Sequence, residues 1–393
     1  MNKTVIVSAK RTAIGSFGGI LASFNAPQLG SIAIKSILED SKVPPISVDE
    51  VIMGNVLTAG LGQAPARQAA LFSGLSDKTE CLTINKMCGS GLKAVMLAHQ
   101  AILLGDADII IAGGQENMSN TPYLLPSARF GYRLGDAQII DSMVKDGLWD
   151  VYNNIHMGNC AEKCAKDFGL KREELDEFAT NSYRKALDAQ KSGRFDDEIV
   201  KITQKTKMGE NVLDKDEEPG KVKFDKIPTL KPVFDKNGVV TAANASGIND
   251  GAAVVLVMSE NKALEMGLVP VVEIIAQSSA AKTPIEFTTA PADAIGKVLK
   301  KANLHLSDID LFEINEAFAV VSLAVNKILG LDNSKVNVNG GAIALGHPIG
   351  ASGARILVTL IHEMRKRNSK YGLASLCIGG GEASAIIIKK YER

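Results

Sequence analysis

Short apolar runs rich in Val and Ile alternate along most of the chain with stretches whose apolar residues recur every three or four positions. The runs over 4–8, 50–53, 81–86 and 107–112 predict strands. The intervening patterns over 28–41, 64–74 and 90–104 predict helices. A second series follows, with strands over 254–258, 271–277, 311–314, 374–378 and 384–389 and helices over 291–302, 316–329 and 351–367. Strands separated by helices in this way predict an α/β fold with largely buried sheets.

The two series resemble one another. Ser90-Gly91-Leu92-Lys93 opens a helix leading to a strand that ends at Gly113-Gly114. Ser352-Gly353-Ala354-Arg355 opens a helix leading to a strand that ends at Gly379-Gly380. Asn55 after one strand is echoed by Asn315 after another, and the strand end carrying Cys377 takes the place of Ala112. This order predicts an internal duplication of one unit. The halves are expected at 1–118 with 242–270, and at 271–393. Residues 119–241 form an insertion of helical pattern (156–168, 171–191) followed by a charged stretch over 201–231. The insertion reads either as a solvated excursion or as a lid over a site, and the flanking motifs favour the lid.

Composition narrows the partners. Lys plus Arg and Asp plus Glu are both 44, so the formal net charge is zero and gives no electrostatic reason to expect nucleic acid or an anionic membrane. The first residues are too short an apolar run for a signal peptide core, and no window is expected to span a bilayer. The five cysteines, Cys81, Cys88, Cys160, Cys164 and Cys377, have no framework spacing, which predicts reduced thiols and a cytoplasmic location.

Two of those thiols stand in chemically suggestive places. In Asn85-Lys86-Met87-Cys88-Gly89-Ser90-Gly91 a strand ends, small residues turn, and a helix begins. A cysteine there faces helical N–H groups and the positive end of the helix dipole, which favours a thiolate; the bland alternative is a buried inert Cys. From Asn339 to Gly353, glycines at 340, 341, 346, 350 and 353 surround His347-Pro348. Backbone lines something there, and His347 is a candidate base for Cys88. A phosphate loop is the competing account, but the spacing fits neither the Walker nor the dinucleotide pattern. Cys377-Ile378-Gly379-Gly380-Gly381 puts a second thiol at a strand end, and Asn315-Glu316-Ala317-Phe318 offers a side-chain amide.

Taken in order, Arg11-Thr12, Cys88-Gly89-Ser90-Gly91, Asn244-Ala245-Ser246-Gly247, Asn315-Glu316-Ala317-Phe318, Gly346-His347-Pro348 and Cys377-Ile378-Gly379-Gly380-Gly381 make the whole chain resemble the thiolase family, in its acetyl-CoA acetyltransferase branch. The resemblance implies duplicated βαβαβαββ halves in αβαβα layers with an inserted loop domain. It implies a Claisen condensation of two acetyl-CoA to acetoacetyl-CoA and CoA, and the reverse thiolysis. Cys88 matches the acyl-accepting nucleophile, His347 the residue taking its proton, and Cys377 the acid/base at the α-carbon. Asn315 matches the residue holding a water that forms one oxyanion hole with His347; the N–H groups of Cys88 and Gly379 match the other. Leu148, His156, Met157, Phe234, Ala242, Ser246, Ala317 and Phe318 match the path of CoA, although His156 alone would read as a surface or cap residue. The family binds CoA thioesters as substrates, with no permanently bound cofactor and no metal, and assembles as a homotetramer of two dimers.

Lys207, Lys221 and Lys223 could meet the nucleotide phosphates, a solvated charged loop being the plainer account. Cys160 and Cys164 share a helix face and are expected to pack. The stretch Glu217-Glu218-Pro219-Gly220-Lys221 lacks the tyrosine that some relatives tie to potassium activation. A broader-range 3-ketoacyl-CoA thiolase is the alternative reading. A decarboxylating condensing enzyme would carry histidine at 377, and a non-catalytic acyl-CoA or lipid-binding relative would lack one of Cys88, His347 or Cys377.

Overall fold

The computed structural model describes residues 3–206 and 209–392. Its first unit runs β1 (Thr4–Thr12), α1 (Ala26–Ser41), β2 (Glu50–Gly54), α2 (Pro65–Phe72), β3 (Glu80–Ile84), α3 (Ser90–Leu104) and β4 (Ile109–Asn117). The insertion contributes α4 (Met157–Phe168) and α5 (Arg172–Lys191), after which β5 (Asn249–Ser259) returns to the first unit. The second unit runs β6 (Val272–Ala281), α6 (Ala290–Ala302), β7 (Leu311–Ile314), α7 (Ala319–Leu329), α8 (Ser352–Arg367), β8 (Tyr371–Ile378) and β9 (Glu382–Lys390).

The strand order β7-β8-β9-β6-β1-β5-β4-β2-β3 is symmetric about its centre, where β1 and β6 pair antiparallel through Val5↔Glu273 and Ile6↔Val272. Going outward, β1-β5-β4-β2-β3 is matched by β6-β9-β8-β7, and a single parallel bridge, Phe312↔Val336, stands where β3 would be. Burial follows the layers. Leu92, Val95 and Ile102 of α3 and Ile356, Leu360 and Met364 of α8 share one apolar core with residues of both units. Ile34 and Ile37 of α1 pack with Ala66 and Ala69 of α2 on one outer face; Ile295 and Val298 of α6 pack with Val321 and Val325 of α7 on the other. The central helices are buried nearly all round, and α3 is apolar over most of its surface, as a doubly covered helix tends to be. For that reason the 18 residues Met87–Leu104 are apolar enough, by length and composition, to cross a membrane, contrary to the sequence expectation, yet 56% of that window is buried inside the fold.

The register corrects the predicted equivalence of the halves. Asp49 Oδ2 accepts from the N–H groups of Asp108 and Ile109, and Asp310 Oδ2 accepts from those of Lys370 and Tyr371. Ile109 therefore corresponds to Tyr371, and the ladders Glu50↔Ile110 and Leu311↔Gly372 agree. Counting along each strand, Cys377 corresponds to Gln115 rather than Ala112, and Asn315 to Gly54 rather than Asn55. The glycine pairs that suggested the alignment sit at different depths in the sheet.

A second difference lies at the predicted helix start. Residues 316–318 are not helical, because Ala245↔Phe318 forms an antiparallel bridge and the Asn244 carbonyl takes the Ala319 N–H at 2.8 Å. Tertiary hydrogen bonds thus hold three residues of good helical pattern extended, and α7 begins at Ala319. The insertion holds short ribbons besides its helices: Tyr123–Leu124 with Ile140–Asp141, Trp149–Asp150 with Ile155–His156, and Ile202–Thr206 with Gly209–Leu213.

Candidate active site

Two helix starts meet at the middle of the molecule. A Cβ on Gly91 would stand 2.9 Å from the Ala354 nitrogen, and one on Gly353 would stand 2.5 Å from the Leu92 nitrogen. Glycine at both equivalent positions lets α3 and α8 cross backbone to backbone. The crossing brings the turn before α3, which carries Cys88, against the turn before α8, which carries His347.

The Cys88 turn is tightly specified. Met87 adopts φ 47, a left-handed conformation uncommon for a side-chain-bearing residue. Ser90 locks it: its Oγ accepts from the Lys86 N–H at 2.8 Å and donates to the Met87 carbonyl at 2.6 Å. The backbone N–H groups of Gly379 and Cys88 lie near enough to the Cys88 sulfur to favour its charged form. The turn bearing the second unit's glycine run therefore reaches across to the first unit's cysteine.

His347 is buried, and its Nδ1 lies 2.6 Å from the Ser352 Oγ, which also donates to the Pro348 carbonyl at 2.9 Å. Its Nε2 has no hydrogen-bond partner within the protein. The backbone N–H of His347 donates to Asn249 Oδ1 at 2.9 Å.

Cys88, His347 and Gly379 line one cavity of about 500 Å³ together with Leu148, His156, Met157, Phe234, Ala242, Ser246, Ala317 and Phe318. Cys377 and Asn315 do not reach its wall. Cys377 is 1% exposed, close enough to Cys88 for charge on one thiol to oppose charge on the other. Asn315 is fully buried, and both heteroatoms of its amide are without a protein partner. His156 is both things the sequence offered. It caps α4, its Nδ1 accepting from the Gly158 N–H at 3.0 Å, and its ring stacks on Phe234 at 4.7 Å in the cavity wall. Ser246 Oγ donates to the Ala317 carbonyl at 2.9 Å, fastening the 241–247 loop to residues 316–318.

The electrostatics correct one expectation. The helix start was expected to favour a Cys88 thiolate, but burial pushes this thiol up to about 11 and outweighs the two N–H donors. Burial likewise pushes Cys377 well above the ordinary thiol range, with Cys88 adding to it. Burial, then the positive charge of Arg355, lowers His347 to about 3, so its imidazole is neutral at pH 7. The site is thus two neutral thiols and a neutral imidazole with a free acceptor nitrogen.

Other expectations sort by their partners. Lys221 is committed, donating to Ser16 Oγ and Glu217 Oε1 at 2.7 Å each, and Lys223 is exposed outside the cavity wall. Lys207 lies outside the described residues. Cys160 and Cys164 are buried in apolar clusters. Among the described residues no group of three or more His, Cys, Asp or Glu could hold a metal ion. The sequence reading missed Phe17, Val233 and Phe287 in the cavity wall, and the residues that hold the turns: Ser352, Asn249 and Glu116. Ser352 was readable as the counterpart of Ser90. Glu116, a carboxylate ending an otherwise uncharged strand, was the other available signal.

Comparison with known proteins agrees along the full length. The chain matches the family model described as "Thiolase, N-terminal domain" over residues 4–261 and that described as "Thiolase, C-terminal domain" over residues 268–390. It is 56% identical over 392 residues to the acetyl-CoA acetyltransferase of Cupriavidus necator, covering 99% of this chain and 100% of that one. To the acetyl-CoA acetyltransferase of Escherichia coli K12 it is 54% identical over 392 residues, with the same coverage. It is similar to the crystal structure of the Bacillus anthracis acetyl-CoA acetyltransferase with a TM-score of 0.97 and 45% identity, covering 100% of this chain and 99% of that one.

Proposed function

Because the chain belongs to the thiolase family, we propose that it is an acetyl-CoA C-acetyltransferase, joining two acetyl-CoA into acetoacetyl-CoA and CoA, and reversing that reaction, through a thioester on Cys88. One observation carries the reading. A single cavity is lined by Cys88, by a neutral His347 with Nε2 unpartnered, and by Gly379, whose N–H lies with that of Cys88 near the Cys88 sulfur.

The steps follow from proton balance. His347 Nε2 takes the Cys88 proton as sulfur attacks the thioester carbonyl, and the two N–H groups receive the developing oxyanion. Such donors are worth ~3–4 kcal/mol each in a preorganised site. The departing CoA thiolate needs a proton. Cys377, buried beside Cys88, is the group placed to give it, which leaves Cys377 as a thiolate. A thiolate held there by a site that disfavours charge is a strong base. It removes the α-proton of a second acetyl-CoA, and the resulting enolate oxygen is received by His347 with a water held on the Asn315 amide. The carbanion attacks the acyl group, and Cys88 leaves, recovering its proton from His347. Leu148, His156, Met157, Phe234, Ala242, Ser246, Ala317 and Phe318 are assigned to the CoA arm of the substrates.

Treating the full-length protein with acetyl-CoA and weighing it tests the nucleophile. One acetyl group is expected on the wild type and none on Cys88→Ser; a labelled Cys88→Ser protein rejects the assignment. Thiolysis rates on acetoacetyl-CoA and longer 3-ketoacyl-CoAs set the acyl range, with preference for the short substrate expected. The homotetramer expectation is supported by apolar side chains of the insertion left in solvent, with Phe130 84% and Leu134 100% exposed. A monomeric sedimentation profile counts against it.

A further inference from the structure

Glu116, near the end of β4, is fully buried, and among the described residues no cationic side chain pairs with it. Its carboxylate instead takes four donors. Oε1 accepts from Asn55 Nδ2 at 2.7 Å and the Leu57 N–H at 3.2 Å. Oε2 accepts from the Val56 N–H at 3.0 Å and the Gly350 N–H at 2.9 Å. Three of these belong to the loop after β2. The fourth belongs to the other unit, in the turn His347-Pro348-Ile349-Gly350.

That turn is bounded by glycines, and the Ala351 and Ser352 N–H groups close it on the Pro348 carbonyl at 2.9 Å each. Its first residue is held by Asn249 Oδ1 from β5 and its last by Glu116 Oε2 from β4. Ser352 orients the ring, and the turn that carries it is anchored by two side chains of the unit that also carries Cys88. Leu57 and Val56, on the Glu116 loop, pack with Ile349 in a small apolar cluster against Cys88. A buried carboxyl whose partners are all donors must offer both oxygens as acceptors. Protonating it would set an O–H against an N–H and forfeit one of the four bonds.

We propose that Glu116 is a positioning residue for the acyl transfer: its carboxylate, by holding the Gly350 N–H, sets His347 against Cys88. The inference rests on the acyl-transfer reading above. Burial opposes ionisation, raising Glu116 to about 7 even against the four donors that favour its charged form. A carboxyl that only capped a loop would affect stability and leave the base where it is.

The test uses full-length wild type, Glu116→Gln and Glu116→Asp. Acetylation of Cys88 is followed by intact mass after rapid mixing with acetyl-CoA, and KM and kcat are measured for thiolysis of acetoacetyl-CoA. Glutamine keeps the shape but turns one acceptor into a donor. Glu116→Gln is expected to acetylate on the order of 100-fold more slowly, as for a misplacement of about 1 Å, with the loss in kcat and KM changed by less than about 3-fold. Glu116→Asp keeps the charge on a shorter arm and is expected between the two. A folded Glu116→Gln protein that acetylates within about 2-fold of wild type overturns the proposal, as does a loss carried by KM alone. Should the glutamine variant not fold, Glu116→Asp decides, wild-type acetylation in it overturning the proposal. An unlabelled wild type sinks the acyl-transfer reading itself, whereas a labelled wild type with equally fast variants sinks only this inference.

Discussion

Two glycine-to-alanine substitutions in helices should move stability in opposite directions. In an open helix position the change gains ~1 kcal/mol of propensity. Gly296 in α6 is such a position: it is exposed, and a Cβ there meets nothing within 4 Å. Gly353 in α8 is the opposite case. Its Cβ would lie 2.5 Å from the Leu92 nitrogen and 2.7 Å from the Leu92 Cβ, where ordinary contact begins near 3.4 Å. The obstacle is α3 backbone, which cannot rotate away, so the helices must part by roughly 1 Å in a core packed at crystal density. Overpacking of this kind costs about 1–3 kcal/mol, and with backbone as the obstacle the upper end applies. After the propensity gain, Gly353→Ala should be less stable by ~2 kcal/mol and Gly296→Ala more stable by ~1 kcal/mol. Urea unfolding of both beside the wild type measures this. The structure adds a consequence for activity. Ser352 starts α8 and its hydroxyl holds His347, so a ~1 Å displacement should slow Cys88 acetylation on the order of 100-fold. Gly296→Ala should acetylate normally. A Gly353→Ala protein that is as stable as wild type and equally fast would show that the crossing is not what sets the site.

His347→Asn should slow Cys88 acetylation about 10²–10⁴-fold, measured by intact mass, since His347 Nε2 is the unpartnered acceptor nitrogen in the Cys88 cavity. His347 also carries a pH signature. Its folded value of about 3 lies below the unfolded ~6.5, so its contribution to stability is complete above about pH 6.5 and is lost as the pH falls toward 3. Urea midpoints at pH 7 and pH 4.5 should therefore differ less in His347→Asn than in wild type; equal differences refute a neutral buried imidazole. Cys377→Ala should slow acetyl-Cys88 formation, having lost the proton donor to CoA, and lose condensation about 10²–10⁴-fold, and an undiminished acetoacetyl-CoA yield would remove Cys377 from the mechanism. Arg11 donates to Glu198 Oε1 at 2.7 Å and to Asp216 at 2.7 and 2.9 Å, all three side chains being buried. Arg11→Met should cost about 3–5 kcal/mol by stranding two buried carboxylates. Because Asp216 precedes Glu217 and Glu218, and Glu218 lines the cavity, it should also raise KM. A midpoint unchanged in urea contradicts it.

The parts of the site that were legible in the sequence are those where chemistry and backbone coincide. A cysteine or histidine inside a glycine-rich turn is visible in one dimension, because the glycines record the close approach that the fold later makes. Cys88 and His347 were readable for that reason, Gly379 entered through the family resemblance, and the periodicity placed the helices and strands around them. The residues that hold those groups were not. Glu116 meets Gly350 from 234 positions away, Asn249 meets His347 from 98, and Arg11 meets Asp216 from 205. Their partners are mostly backbone N–H groups, which every residue owns, so no residue type at the far end betrays the contact. The misplaced start of α7 has the same origin: Glu316 is pulled out of the helical pattern by Ser182 Oγ at 2.6 Å and Asn337 Nδ2 at 2.9 Å, both remote.

The sign of the Cys88 shift shows why such remote contacts decide the chemistry. Local reasoning puts a cysteine at a helix start and predicts a thiolate, since the first turn's N–H groups favour negative charge. The fold then half-buries that cysteine in the cavity wall, and desolvation outweighs the N–H groups: Cys88 is pushed up to about 11 while burial lowers His347 to about 3. These directions disfavour a resting thiolate–imidazolium pair and favour a Cys88 that keeps its proton until it reacts. Its proton must leave as the carbon–sulfur bond forms, when the negative charge passes to an oxygen that two N–H groups can receive. Reactivity then depends on where Nε2 stands at that moment, and so on the side chains that hold the His347 turn.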